Sequence, residues 1–410
     1  MIPFLVIAAV AAVVTAAASV AVLQLSRRLR LTPKLRERDV HTVPTPRLGG
    51  VAMYFGILAA TLIAVFVLGP DTVLDGITQL WALLGACTIV GVVGVLDDLL
   101  DLDWMIKLAA QLAAAGLLAW QGVQIVSLPF GDTLVVGSPA VNFVLTVVLM
   151  TLVMNAVNFI DGLDGLVAGV AIIANSVFFV YTQLLIAQTG SDSSITLAAI
   201  IAAIVVGIAA GFLPFNWHRA RMFMGDTGAL LIGLLMATST VSVTGQLNPA
   251  ALDQKLVLAS YIPIILPMAV LAMPLADFTL AVLRRLRAGK SPFSADRKHL
   301  HHRLLDMGHS PLQAVAIFYL WTAVISLACL LVFTMQDFFW PSVVAIAGGA
   351  LCLVVTFTPV ARLRGRFAQR GLLRLKAADE QTRDPDAVTV AAPEGEAPHP
   401  GVSADERKPE

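Results

Sequence analysis

Charge is scarce in this sequence. Asp, Glu, Lys and Arg make up 13% of its 410 residues, against about 25% in an ordinary soluble domain. That shortage argues against a soluble globular fold. Acids and bases are equal at 27 each, so no basic excess points to a nucleic-acid partner. Cysteine is equally rare. Cys87, Cys329 and Cys352 each lie inside an apolar run, which excludes a disulfide framework and a zinc site. What the chain has instead is apolar residues, 58% of the total, with a mean hydropathy of +0.84. It reads as a membrane protein.

A helix of about 20 apolar residues crosses the ~30 Å hydrocarbon core. Eleven stretches qualify, near 2–24, 48–69, 77–96, 104–121, 140–157, 164–187, 195–214, 227–245, 256–283, 312–334 and 339–358. The fold class expected is an all-α polytopic membrane protein. The first stretch lacks a basic n-region and is followed by Arg27, Arg28 and Arg30, which suits a retained helix with its N-terminus outside, not a cleaved signal. Pro263, Pro267 and Pro274 predict a bent or broken ninth helix. With the N-terminus outside, 26 of the 27 Lys and Arg fall on the cytoplasmic side, and Lys255 is the exception. The short loops carry most of that bias, which fixes both the count and the orientation expected. Residues 1–358 form the expected transmembrane catalytic domain with cytoplasmic active-site loops. Residues 359–376 are a basic juxtamembrane segment. Residues 377–410, rich in Ala, Glu, Asp and Pro, are too polar to fold and should be a disordered cytoplasmic tail.

Four polar clusters fall at the cytoplasmic edge. The first holds Asp97, Asp98, Asp101 and Asp103, followed by Lys107. Adjacent carboxylates repel unless a cation lies between them, and Mg²⁺ is commonly shared between one or two carboxylates and substrate phosphates. A solvated acidic loop and a snorkelling lysine would also explain these residues. The second is Asn155, Asn158, Asp161 and Asp164 with Gly162 and Gly165. Amides and acids at this density beside a membrane helix point to function more than to interhelical hydrogen bonding. The third runs from Asn216 to Gly228, where Asp226 opens a helix. It either caps that helix or holds a metal that bridges to a phosphate, with Phe223 available to stack on a base. The fourth is the loop 284–311, with Arg284, Arg285, Arg287, Lys290, Arg297, Lys298, His299, His301, His302, Arg303 and His309. Topological charge bias explains many of its bases. The histidines lack a cysteine or a helical pair to make a zinc site, and pyrophosphate binding fits them better. Together the clusters suit phosphoryl transfer between a soluble nucleotide and a membrane lipid.

Five motifs in order then mark a resemblance: PTPRLGG at 44–50, LDDLLDL at 96–102, NAVNFIDGLDGL at 155–166, FMGDTGAL at 223–230 and SPFSADRKHLHHRL at 291–304. Each alone is modest, and five in order are highly specific. The sequence resembles the polyprenyl-phosphate N-acetylhexosamine-1-phosphate transferase superfamily (glycosyltransferase 4 family), in its WecA/TagO-like branch. The resemblance implies transfer of N-acetylglucosamine 1-phosphate from UDP-N-acetylglucosamine to undecaprenyl or decaprenyl phosphate. UMP is released and the first lipid-linked intermediate of a cell-envelope polysaccharide is made. It implies Mg²⁺, with Mn²⁺ as the alternative, held by Asp226 and Asp98. It gives catalytic roles to Asp97, Asp98, Asp161, Asp164 and Lys107. It assigns uridine to Gly162, Leu163, Asp164, Asn216 and Phe223, and further substrate contacts to Asn158, Arg297, His299, His301, His302 and Arg303. It implies the inner (cytoplasmic) membrane, with the active site on the cytoplasmic face, and no nucleic acid. A homodimer is an option that no stretch of the sequence argues for. The muramoyl-pentapeptide branch (MraY) usually has three consecutive histidines and then an acid. Here His299-Leu300-His301-His302-Arg303 breaks that order. That branch stays as the alternative substrate reading, and a lipid-phosphate transporter or flippase as the alternative of another class, although transporter sites lie near the bilayer midplane.

Overall fold

The computed structural model describes residues 1–29, 45–68, 77–125, 127–130, 133–189, 193–244, 279, 282–287, 289, 300–335 and 338–358. Helices dominate: α1 (Ile2–Arg28), α2 (Gly49–Leu68), α3 (Ile77–Leu100), α4 (Trp104–Trp120), α5 (Pro139–Ile160), α6 (Leu166–Thr189), α7 (Ser193–Asn216), α8 (Gly225–Thr244), the short α9 (Leu300–Asp306), α10 (Pro311–Met335) and α11 (Phe339–Phe357). Nine of the described helices are long and apolar enough to span a membrane, and the apolar α4 is a shorter companion at 17 residues. Ten of the eleven predicted stretches therefore coincide with a helix. The ninth, apart from residues 279, 282 and 283, lies outside the described residues, as do its prolines and both segments predicted beyond residue 358.

Two strands depart from the all-helical expectation. β1 (Ser127–Phe130) and β2 (Thr133–Val136) pair antiparallel, with Leu128 opposite Val135 and Phe130 opposite Thr133. The signal in the chain is Gly131-Asp132, a dipeptide typical of two-residue hairpins, between two short, largely apolar runs. The pairing satisfies, between α4 and α5, backbone groups that a bare connection would leave open.

The core is built around α7 and α8. Their most apolar windows are 89% and 94% buried, against 11% for α11. α8 packs on α2, α3, α5 and α7, while α7 also meets α1 and α6. Close approach depends on small residues. A side chain at Gly207 or Gly211 would strike the carbonyl oxygens of Ala8 and Ala12 across the α1–α7 contact. Such backbone-to-backbone packing is the usual glue between helices in lipid. α11 rests on α10 alone among these neighbours, and α10 on α6. Because α8 touches both α3 and α5, its first turn is where the C-terminal ends of those helices meet.

Candidate active site

The helix α3 continues four residues past the boundary expected at 96, and this extension determines where the first two acids go. Successive helical residues project about 100° apart, so Asp97 and Asp98 diverge. Asp97 is buried. Its Oδ1 accepts a hydrogen bond from the Leu102 N–H at 2.9 Å, and its Oδ2 accepts one from Lys107 Nζ at 3.0 Å. Lys107 Nζ also donates to Asp226 Oδ2 at 3.2 Å. One ammonium group thus bridges two carboxylates 129 residues apart, which themselves lie within hydrogen-bonding reach of each other.

Asp98 points instead at α8. Its Oδ1 accepts from the Asp226 N–H at 2.9 Å. Its Oδ2 accepts from the Thr227 N–H at 3.2 Å and from Thr227 Oγ1 at 2.7 Å. The remaining acids of the first cluster have local roles. Asp103 caps α4 through the Met105 N–H at 2.8 Å, and Asp101 takes a left-handed φ of 57° where the chain leaves α3.

The start of α8 is also held from the other side. Phe223 N–H donates to the Pro46 carbonyl at 2.9 Å. Gly49 and Gly50 donate to the carbonyls of Phe223 and Met224 at 3.0 and 2.8 Å. The PTPRLGG stretch is thereby tied to FMGDTG along the backbone. A side chain at Gly225 (φ +70°) would collide with the carboxylate of Asp98 and the carbonyl of Arg47, so only glycine fits.

The C-terminal end of α5 completes the cluster. Asn158 hydrogen-bonds Asp226, and Asp161 terminates the helix. The Asp161 carboxyl is pushed up to about 8, first by burial and then by the charges of Asp226, Asp98 and Asp164, with Arg47 opposing the rise. Asp164 Oδ2 accepts from the Ala220 N–H at 3.1 Å and lies 3.5 Å from His218 Nδ1. Asn216, expected to hold uridine, and Asn155 of the second cluster both have partners within the fold. Asn216 is buried, accepts from the Gly165 N–H at 2.9 Å and donates to the Met222 carbonyl at 3.1 Å, so it pins the 161–165 turn to the 217–224 loop. Asn155 donates to Gln111 Oε1 at 2.6 Å and to the Thr151 carbonyl at 2.8 Å, locking α5 to α4 one turn beyond Lys107.

Leu163 lies under the turn. It packs with Leu166, Leu304 and Phe318, an apolar patch that seats α9 and α10 against the 161–166 segment. α9 carries His301, His302 and Arg303, so the histidine helix sits beside that turn, with Arg303 exposed. Gly162 and Phe223 remain half exposed. Arg297 and His299, and the side chains of His301 and His302, lie outside the described residues. His309 is buried and bonded to the Thr356 carbonyl at 2.8 Å, away from the carboxylates.

Asp97, Asp98, Asp161, Asp164 and Asp226 therefore converge, with Lys107 and Arg47 as the cations identified among them. Five carboxyl groups against two bases form an oxygen-rich, acidic set that suits a divalent cation. Asp226 and Lys107 keep their side chains 32% and 26% exposed, against 6% for Asp97. Among the described residues no three acids, histidines or cysteines are already spaced to close around an ion. Gln111 and Thr227 went unrecognised in the sequence. Gln111 follows Lys107 by four residues, the same-face spacing that marks it. Thr227 had no signal beyond following Asp226.

Residues 80–244, which carry every acid of this cluster, match the family described as glycosyl transferase family 4. A decaprenyl-phosphate N-acetylglucosaminephosphotransferase of Mycobacterium leprae is 38% identical over 320 residues, 77% of this chain and 80% of the relative. A probable undecaprenyl-phosphate N-acetylglucosaminyl 1-phosphate transferase of Bacillus subtilis is 33% identical over 287 residues, 69% and 72% of the two chains. A phospho-N-acetylmuramoyl-pentapeptide-transferase of Desulforudis audaxviator is 33% identical over 273 residues, 60% of this chain and 78% of the relative. With the five acids brought to one end of the helices and relatives matched over most of their length, the chain belongs to the polyprenyl-phosphate N-acetylhexosamine-1-phosphate transferase superfamily, in its WecA/TagO-like branch.

Proposed function

We propose that this protein transfers N-acetylglucosamine 1-phosphate from UDP-N-acetylglucosamine to a polyprenyl phosphate, releasing UMP. The observation that carries the reading is the convergence of Asp97, Lys107, Asn158, Asp161 and Asp226, drawn from four helices, at one end of an apolar bundle. A lipid phosphate headgroup reaches that level while its chain stays in the bilayer. The matched decaprenyl and undecaprenyl relatives support both the sugar and the lipid.

An oxygen of the lipid phosphate attacks the β-phosphorus of the UDP-sugar. A P–O bond forms there as the bond from that phosphorus to the bridging oxygen breaks, and the bridging oxygen leaves with UMP. Lys107 is placed to hold the phosphate oxygens, and Asp97 takes the proton that a lipid phosphate monoanion carries (second pKa about 6). Arg47 contributes positive charge on the Asp161 side. The helix α9, seated by Leu304 beside the 161–166 turn, supports a role for its basic residues at the diphosphate and sugar. Mg²⁺, or Mn²⁺ in its place, supplies charge neutralisation of the phosphoryl oxygens when held at Asp226. The excess of Lys and Arg in the loops at this end supports a cytoplasmic face for the site.

The test is purified protein with polyprenyl phosphate and Mg²⁺, offered UDP-N-acetylglucosamine or UDP-N-acetylmuramoyl-pentapeptide, with UMP release followed. UMP from the first alone is expected. UMP from the pentapeptide alone would establish the muramoyl reading. Transbilayer movement of lipid phosphate without UMP would establish a transporter. Asp226→Asn is expected to abolish turnover while the folded protein still purifies. Normal turnover in that variant would remove Asp226 from the metal site.

A further inference from the structure

We infer that Asp98 is a positioning residue, a cap carried on α3 that fixes the first turn of α8 and thereby aims the Asp226 carboxylate, rather than a metal ligand or a nucleophile. The inference rests on the function proposed above only for what Asp226 is aimed at.

A helix begins with backbone N–H groups that have no partner within the helix. Most helices meet this with a Ser, Thr, Asp or Asn at their own start. α8 cannot, because Met224 precedes it and Gly225 begins it. Asp98 supplies the missing acceptor from another helix, to the N–H groups of Asp226 and Thr227. The Thr227 hydroxyl adds a third donor. A carboxylate offers about four lone-pair sites, so these bonds leave one for any metal or phosphorus. The surroundings are shaped to this contact. Glycine at 225 leaves room for the Asp98 carboxylate, and glycine at 94, one turn earlier on α3, lets Thr227 approach the helix backbone. The negative end of the cap also lies at the positive end of the α8 dipole. Asp97, by contrast, faces Lys107 and Asp226. The adjacent acids thus have different work, one at the site and one behind it.

The test compares Asp98→Ala, Thr227→Val and Thr227→Ser with the wild type, by thermal unfolding in EDTA and by Mg²⁺ titration of that unfolding temperature. A cap predicts that Asp98→Ala and Thr227→Val unfold several degrees lower without metal, whereas Thr227→Ser, which keeps the hydroxyl, behaves as wild type. Half-saturation by Mg²⁺ should rise about 10-fold in Thr227→Val, the usual effect of losing a group that orients a ligand, and return in Thr227→Ser. A metal ligand crowded by other acids predicts the opposite sign: removing Asp98 would raise the unfolding temperature in EDTA, and Thr227→Val would leave Mg²⁺ affinity alone. Either result overturns the inference, as does labelled sugar phosphate trapped covalently on Asp98. If Asp98→Ala does not fold, the two Thr227 variants decide. If the wild type releases no UMP from any UDP-sugar, the proposed function fails while the EDTA measurements still decide the cap.

Discussion

Lys107 is a single ammonium held between Asp97 and Asp226. With the cation gone, two carboxylates face each other at the foot of an apolar bundle, where repulsion is weakly screened. Lys107→Gln is therefore expected to lower the unfolding temperature in EDTA, to recover much of it on adding Mg²⁺, and to reduce turnover by about 10²-fold or more, as for loss of a donor aimed at transition-state charge. Differential scanning fluorimetry with and without Mg²⁺ reads the first two, and UMP release the third. Asp161 gives a dependence on pH. Its carboxyl titrates near 8 in the folded protein against an ordinary value of 3.8. Between these values the folded state binds the extra proton, so metal-free stability falls as pH rises from about 4 to about 8 and then levels off. Asp161→Asn should flatten that slope in urea titrations run in EDTA. An unchanged slope would show that neither burial nor the neighbouring acids hold the proton on Asp161. Much at this scale was legible: Asp226, Lys107 and the pair Asp97–Asp98 stand out as polar groups at membrane-helix ends. Their partners were not. Spacing tells which residues share a face, but nothing local says that Asp98 meets residues 128 and 129 positions away, or that Asn216 bonds Gly165 and Met222 while Leu163 packs on Leu304 and Phe318.

Ten helices were visible as apolar runs, since lipid requires each backbone polar group to be satisfied within its segment. Their ends were harder. The charges at Asp97 and Asp98 suggested a stop at 96, yet α3 continues to Leu100 because both side chains find donors on α4 and α8. The hairpin 127–136 escaped notice because its strands are four residues each, too short to stand out beside twenty-residue runs. Where elements touch, glycine is decisive. Gly225→Ala would need a left-handed backbone, at about 1–2 kcal/mol, and would drive a methyl group into the Asp98 carboxylate. The expected outcome is a protein that folds with a lowered unfolding temperature and turns over poorly, because the start of α8 has moved. Wild-type kinetics in Gly225→Ala would show that the contact between α3 and α8 is loose.

At the scale of the molecule, the bundle is polarised. α3 ends and α4 begins at the carboxylate cluster, where α5 ends, α8 starts and α9 docks. α4 then carries the chain away to Gln121, with the hairpin following at the far end. The distribution of Lys and Arg in the sequence predicts that the cluster end faces the cytoplasm, and this prediction can be tested without any assay of activity. Cys87 and Cys352 are buried and Cys329 is half-buried within α10, so the wild type should react poorly with a membrane-impermeant maleimide. Gln121 and Arg219 are both exposed, at opposite ends of the bundle. Gln121→Cys should label on intact cells, and Arg219→Cys only after the membrane is opened. The reverse pattern would invert the whole chain and put the carboxylates outside, where no cytoplasmic UDP-sugar reaches them. Labelling of both from outside would mean that the two loops share one face, which would break the alternation from which the eleven-span count was drawn.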